Sequence, residues 1–146
     1  MKSERLKEEI EAFEKNPLQN LTVQDAMIIV VVCGARVKAE DCSEDIARIA
    51  ELVQSHSLFS EYREDTVRRI NRIVNMMRAG DCKEAVSAAA GILSEDLKKL
   101  SLRWSAHLAA KEGGLTRGQK RHLFDLVDPL SIERKKVESI LEAFST

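Results

Sequence analysis

Proline and glycine are scarce in this chain. Two prolines and six glycines among 146 residues leave few breakers, which argues for long helices and short connections. Aromatic residues make up only 4%, so the core must be aliphatic and rich in alanine. Neither sign of charge is in excess. Basic residues number 23 and acidic residues 24, a net charge of −1, which removes any electrostatic drive toward nucleic acid or an anionic membrane. No apolar run approaches the ~20 residues that span a bilayer, so no direct membrane insertion is expected. The three cysteines, Cys33, Cys42 and Cys82, lack CxxC spacing. Their odd number, and a charged amphipathic start (Met-Lys-Ser-Glu-Arg) in place of a secretory leader, predict free thiols in a reducing cytoplasm. A glycine-rich phosphate loop, a GxSxG elbow and an HExxH helix are also missing.

What is present is organised around residues 26–33, Ala-Met-Ile-Ile-Val-Val-Val-Cys, eight apolar residues without a polar break. A segment apolar on every side must be surrounded by protein. Its β-branched residues favour a strand locally, and a continuous apolar run has no diagnostic period. Thr22 as N-cap and Gly34 as stop give about a dozen residues, long for a strand. Every other periodic segment is helical, so a strand would lack a partner for its backbone groups. A central buried helix is the expectation.

About eight helices are expected, in an all-α, compact single domain over 1–146, with 1–21 as an N-terminal helix and connection and 22–146 as the bundle. The first helix covers 3–14, with Leu6, Ile10 and Phe13 inward, and Asn16-Pro17 stops it. After the central helix comes a charged loop over 34–41 anchored by Val37. Asp41 then opens a helix, with capping-box spacing to Glu44 and Ser43 as a rival cap. Ile46, Ile49, Ala50 and Val53 are its inner face. A break at 55–60 precedes a helix over 61–79, whose core stripe is Val67, Ile70, Val74 and Met77 and whose acid-to-base polarity suits the macrodipole. Gly80 ends it. Asp81 with Glu84, then Ser94, then Thr116 with Gln119 cap the next three helices. The middle one presents Leu97, Leu100, Trp104 and Leu108 and ends at Gly113-Gly114. Leu123, Phe124, Leu126 and Val127 are buried before Asp128-Pro129 closes the segment. Ser131 caps the last helix, which faces inward through Val137, Ile140, Leu141 and Phe144.

The two halves echo one another. In each, a helix leads to a glycine-containing loop with one aliphatic anchor (Val37, Leu115), then to a capped helix ending in Leu-Val (52–53, 126–127). Leu58 and Ser60, or Leu130 and Ser131, precede the following helix. This repeat predicts a pseudo-two-fold arrangement of two equivalent hairpins. The second copy reads Ala109-Ala110-Lys111-Glu112-Gly113-Gly114-Leu115-Thr116-Arg117-Gly118-Gln119, and Leu130-Ser131-Ile132-Glu133 leads into the last helix. On these motifs the chain resembles, over 22–144, the TerB-like tellurite-resistance family. The resemblance implies a compact helical bundle of the bacterial cytoplasm, associated with tellurite and other chemical stress and with membrane-linked complexes. It also implies paired loops whose acids are proposed to bind a divalent metal, and no established catalytic residues. By that alignment two of four acids remain, Asp41 and Glu112, while Gly34-Ala35 and Gln119 stand where the others would fall. Hard divalent cations want several oxygen ligands. No cofactor is therefore expected, and Asp41 and Glu112 would mark a degenerate metal site.

Each candidate group has a functional and an architectural reading. Glu40, Asp41, Glu44 and Glu112 form a metal or partner patch if the two loops meet; otherwise Asp41 and Glu44 cap a helix and Glu112 is solvated. His107 is a ligand or acid–base group, or a core-edge residue with one hydrogen bond. His56 and His122 have no partner at zinc spacing. Cys42 and Cys82 each follow an aspartate near a helix start, a position that lowers a thiol pKa; they are reactive, or incidental surface thiols. Cys33 is expected to pack as a small hydrophobe. Arg68, Arg69 and Arg72 meet phosphate or an acidic partner, or form a solvated face, which interleaved Glu64 and Asp65 favour. The favoured function is a non-enzymatic interaction module in a bacterial stress response. Its surface would comprise Arg36, Lys38, Glu40, Asp41, Glu112 and Arg117, facing an unidentified protein partner. A divalent-metal module and a small thiol-dependent detoxifying enzyme are the alternatives. Nucleic acid is not an expected partner, and a homo-oligomer stays open.

Overall fold

A computed structural model describes residues 21–37, 42–79, 81–110 and 114–144. Among them every regular element is helical, in agreement with the all-α expectation. The helix expected over 3–14 lies outside the described residues. In chain order the helices are α1 (Val23–Gly34), α2 (Ser43–Val53), α3 (Arg63–Ala79), α4 (Cys82–Ala90), α5 (Glu95–Ala109), α6 (Arg117–Phe124), the single turn α7 (Val127–Leu130) and α8 (Arg134–Glu142). A 3-10 turn, Ser57–Phe59, separates α2 from α3.

α1 is the buried axis. Thr22 Oγ1 accepts from the Asp25 N–H and the Asp25 carboxylate accepts from the Thr22 N–H, a reciprocal capping box. The six side chains of residues 26–31 are wholly enclosed, with α5, α4 and α3 packed around them. The β-branched run is helical because burial outweighs propensity. Helix propensity differences are a few tenths of a kcal/mol per residue, whereas fully burying a Val or Ile side chain stabilises by ~1.5–3 kcal/mol.

Gly34 ends α1 for a different reason from the one its composition suggests. The C-cap is Ala35, still right-handed, and the left-handed turn falls on Arg36 at φ 55°. Glycine is required at position 34 by proximity. A Cβ there would lie 2.6 Å from both Cβ and Oγ of Ser105 on α5, and 3.1 Å from Leu123 Cδ2 on α6. Ser105 Oγ also lies 2.9 Å from the Val30 carbonyl, to which it donates, so a small polar residue seals the α1–α5 crossing.

The remaining helices largely keep their expected inner faces. α2 buries Ile46, Ile49, Ala50 and Val53. Its N-cap position is Cys42, which makes no side-chain cap bond, and Ser43 is already helical; Asp41 lies outside the described residues. α3 buries Ile70, Ile73 and Val74, with Val67 and Met77 half-buried. Its arginines do not form one solvated face, because Arg69 is only 5% exposed. Asp81 caps α4 by accepting from the Lys83 N–H, without the reciprocal bond expected of Glu84. Ser94 caps α5, which buries Leu102, Trp104, Ala106 and Leu108 and leaves Arg103 and His107 exposed. The break before α3 contributes to the core as well: Phe59 is buried, with its ring edge-on to Trp104 at 6.2 Å.

Asp128-Pro129 does not close the penultimate segment. It lies inside α7, and Ser131, expected to cap the last helix, is instead the left-handed C-cap of α7 at φ 56°. Glu133 precedes α8 without a side-chain cap. α8 is attached laterally, through the Arg134 guanidinium over the Phe124 ring at 4.5 Å and through a Lys136–Glu95 ion pair. Among the described residues no helix is long and apolar enough to cross a membrane.

Candidate functional site

The turn after α1 holds its shape through its backbone. The Val37 N–H returns to the Val32 carbonyl at 3.0 Å, and Val37 packs against the core as the expected anchor. Arg36, between them, is exposed. Arg117, the first residue of α6, is exposed too. Of the other residues assigned to the interaction surface, Lys38, Glu40, Asp41 and Glu112 lie outside the described residues. Among the described residues no group of three or more His, Cys, Asp or Glu side chains could hold a metal ion.

Gln119 stands where the TerB-like alignment would place an acid, and its amide is engaged at both ends. Oε1 accepts from the Thr116 N–H at 2.8 Å, while Nε2 donates to the Ala109 carbonyl at the end of α5, also at 2.8 Å. The Gln119 N–H completes the capping box on Thr116 Oγ1 at 3.1 Å. One side chain therefore closes the α5–α6 loop and satisfies a carbonyl that the helix end leaves open.

The histidines are architectural or peripheral. His122 Nε2 lies 2.6 Å from the Cys33 carbonyl in the last turn of α1. A carbonyl only accepts, so Nε2 carries the proton and α6 is bonded to the end of α1. His56 Nδ1 accepts from the Leu58 N–H at 3.1 Å, which nucleates the 3-10 turn. His107 is exposed, with its ring edge-on to Phe144. Beside it, Arg48, Glu51, Leu52, Ser55 and Leu108 complete an open cleft of about 340 Å³. Its polar groups are turned partly to the chain itself: Ser55 Oγ donates to the Leu52 carbonyl at 2.6 Å and Arg48 Nη2 reaches the Leu108 carbonyl at 3.4 Å. With one cation and one carboxylate in its lining, the cleft has no charge preference for an anion or a cation.

A buried ionic cluster joins α1, α3 and the segment before α3. Arg69 meets Asp25 through Nη1 and Glu61 through Nε and Nη2, and Thr66 Oγ1 donates to the same Glu61 carboxylate. Burial works against the Arg69 charge, but the hydrogen bonds to Glu61 and the field of Asp25 override it and hold the guanidinium pKa above its ordinary value. No sequence pattern marks this cluster, because its members lie on separate segments.

Two of the three thiols, Cys33 and Cys82, lie on helices that pack against each other. Cys82, the first residue of α4, is half-buried, and Cys33, in the last turn of α1, is 2% exposed. Both are free cysteines. The influence of Cys82, then burial, pushes the Cys33 thiol far above its ordinary pKa. The influence of Cys33 lowers the Cys82 thiol, against burial and the nearby Asp81 charge. Cys42, the other thiol singled out for its place near a helix start, is the N-cap residue of α2 and packs half-buried against the core.

No family model, no curated protein and no solved structure matches the chain.

Proposed function

We propose that the chain is a non-enzymatic helical interaction module, TerB-like in arrangement, serving a chemical-stress response in the bacterial cytoplasm. Arg36 carries this reading. It is exposed and sits at φ 55°, where a non-glycine residue costs ~1–2 kcal/mol. Glycine would meet the geometry with less strain, so an exposed cation at this turn serves something other than packing. Arg117 supports the same reading, since a cation in the first turn of α6 opposes the helix dipole. The polar side chains further in, Arg69, Gln119 and His122, are engaged in holding helices together. Arg36, Lys38 and Arg117 would present positive charge to an acidic protein surface, and the pseudo-two-fold echo of the two loops belongs to this proposal. A metal-binding version needs ligands beyond Asp41 and Glu112.

The test is partner capture from the native cell under chemical stress. Reversing charge at Arg36→Glu, Lys38→Glu and Arg117→Glu is expected to abolish capture with the thermal midpoint nearly unchanged. Arg36→Gly is expected to weaken capture while raising stability by about 0.5–1 kcal/mol. The reading fails if the reversal keeps the partner and the stress phenotype while Cys42→Ala with Cys82→Ala loses them.

A further inference from the structure

The open cleft at the α2–α5 seam sets uncommitted polar groups around an apolar floor. Arg48, Glu51 and Leu52 share one face of α2, Ser55 follows just past its end, and His107 and Leu108 line the same space from α5. Leu108 is buried and Leu52 half-buried. Arg48 and Glu51 are i, i+3 neighbours, with Cβ atoms ~5–6 Å apart, yet among the described residues no ion pair joins them. Arg48 is instead drawn to the Leu108 carbonyl through Nη2 at 3.4 Å, which leaves its Nε and Nη1 donors uncommitted. Among the described residues the Glu51 carboxylate and the His107 ring nitrogens have no hydrogen-bond or ion-pair partner. A simple anion entering the cleft would meet Glu51, and a simple cation would meet Arg48. A ligand that carries both charges a short distance apart satisfies both residues. The volume, about 340 Å³, lies at the small end of ligand sites, which suits a small molecule.

We propose that this cleft binds a free aliphatic α-amino acid as its zwitterion. The α-carboxylate pairs with the Arg48 guanidinium, whose planar donor set matches a carboxylate. The α-ammonium pairs with the Glu51 carboxylate, and the branched side chain covers Leu52 and Leu108. Both charges of a free amino acid sit on one carbon, a separation that two neighbouring side chains of one helix face can meet. A peptide holds its two terminal charges at least one residue further apart. Ser55 takes no part, because its hydroxyl is committed to the Leu52 carbonyl at 2.6 Å. His107 forms the rim on the α5 side, edge-on to Phe144. The inference does not rest on the interaction-module reading, whose cations Arg36, Lys38 and Arg117 are not among the cleft residues.

The test is a titration of the full chain with L-leucine at neutral pH, read by calorimetry and by the methyl NMR signals of Leu52 and Leu108. One site per chain is expected, with both sets of methyl signals shifting. N-acetyl-L-leucine lacks the ammonium and L-leucinamide lacks the carboxylate, and each should bind about tenfold more weakly or worse. Glycine keeps both charges without the side chain and should also bind more weakly than leucine. Glu51 is exposed, so Glu51→Gln leaves the core alone; it should lose the preference for leucine over N-acetyl-leucine. Arg48→Gln should lose the preference for leucine over leucinamide. These preferences are ratios within one variant, so a change in overall stability does not imitate them. The proposal is overturned if leucine at millimolar concentration does not bind, or if N-acetyl-leucine or the dipeptide leucyl-leucine binds as tightly. It is equally overturned if Glu51→Gln and Arg48→Gln keep both preferences, which would place the binding elsewhere.

Discussion

Arg69 Nη1 donates to Asp25 Oδ1 over 2.9 Å, and both side chains are about 95% enclosed, at 6% and 5% exposure. The same guanidinium holds Glu61 at 3.2 Å through Nε and again through Nη2. This contact fixes α3 against the first turn of the buried helix. Desolvation limits what such a pair adds over an apolar replacement, but removing one partner strands the other charge. Arg69→Ala is expected to cost about 3–5 kcal/mol in urea unfolding. Asp25→Ala introduced into that background should cost much less than Asp25→Ala alone, because the stranded carboxylate is gone. Equal costs in both backgrounds would show that the two residues do not act together.

The pH dependence has a definite sign. A guanidinium whose folded pKa is raised stabilises fully below its unfolded pKa and loses that contribution only as pH rises through the folded one. The unfolded arginine pKa is already above about 12. The stability difference between the natural chain and Arg69→Ala should therefore be flat from neutral pH to about pH 10. A decline within that window would mean that another group controls the cluster.

The sequence made α1 legible because two signals agreed: an uninterrupted apolar run, and Thr22 and Gly34 placed a helix length apart. The inner face of α2 followed from spacing alone. Arg69 was hidden because its partners are 44 and 8 residues away, and a helix that alternates acids and bases reads as solvated whichever of them turns inward. Phe59 was hidden in a stretch that carries break signals. Cys33 was correctly expected to be buried.

Gly34 against Ser105 gives a second stability test. In an exposed helix Gly→Ala helps by up to ~1 kcal/mol. Here the new methyl would meet Cβ and Oγ of Ser105 at 2.6 Å, and Ser105 is buried with its hydroxyl engaged. Overpacking of this kind costs about 1–3 kcal/mol, so the clash should win and Gly34→Ala should lower the thermal midpoint. Ser105→Gly loses a hydrogen bond and is destabilising alone. Combined with Gly34→Ala it also removes the obstruction, so the double variant should be more stable than the sum of the two losses. Strict additivity would locate the damage elsewhere.

Gln119 separates the metal reading from the architectural one. Its Oε1 accepts from Thr116 and its Nε2 donates to the Ala109 carbonyl, which an amide can do at neutral pH and a carboxylate cannot. Gln119→Glu introduces the acid that a TerB-like alignment would place there. The new carboxylate can still accept from Thr116, but its second oxygen faces the Ala109 carbonyl, acceptor against acceptor. The expected loss is about 1–2 kcal/mol at neutral pH. It should shrink near pH 4, since a protonated carboxyl can donate again and its folded pKa is raised by that carbonyl. Gln119→Met, which can neither accept nor donate here, should be destabilised without that recovery in acid. Calorimetry with calcium, magnesium or manganese should show no tight site in Gln119→Glu, because a lone added acid with Asp41 and Glu112 must first give up the loop it was meant to hold. If the acid is instead accommodated without loss of stability, and a stoichiometric divalent site appears that Asp41→Ala and Glu112→Ala remove, then the two loops are built to converge on a metal and the amide at position 119 is what keeps it out.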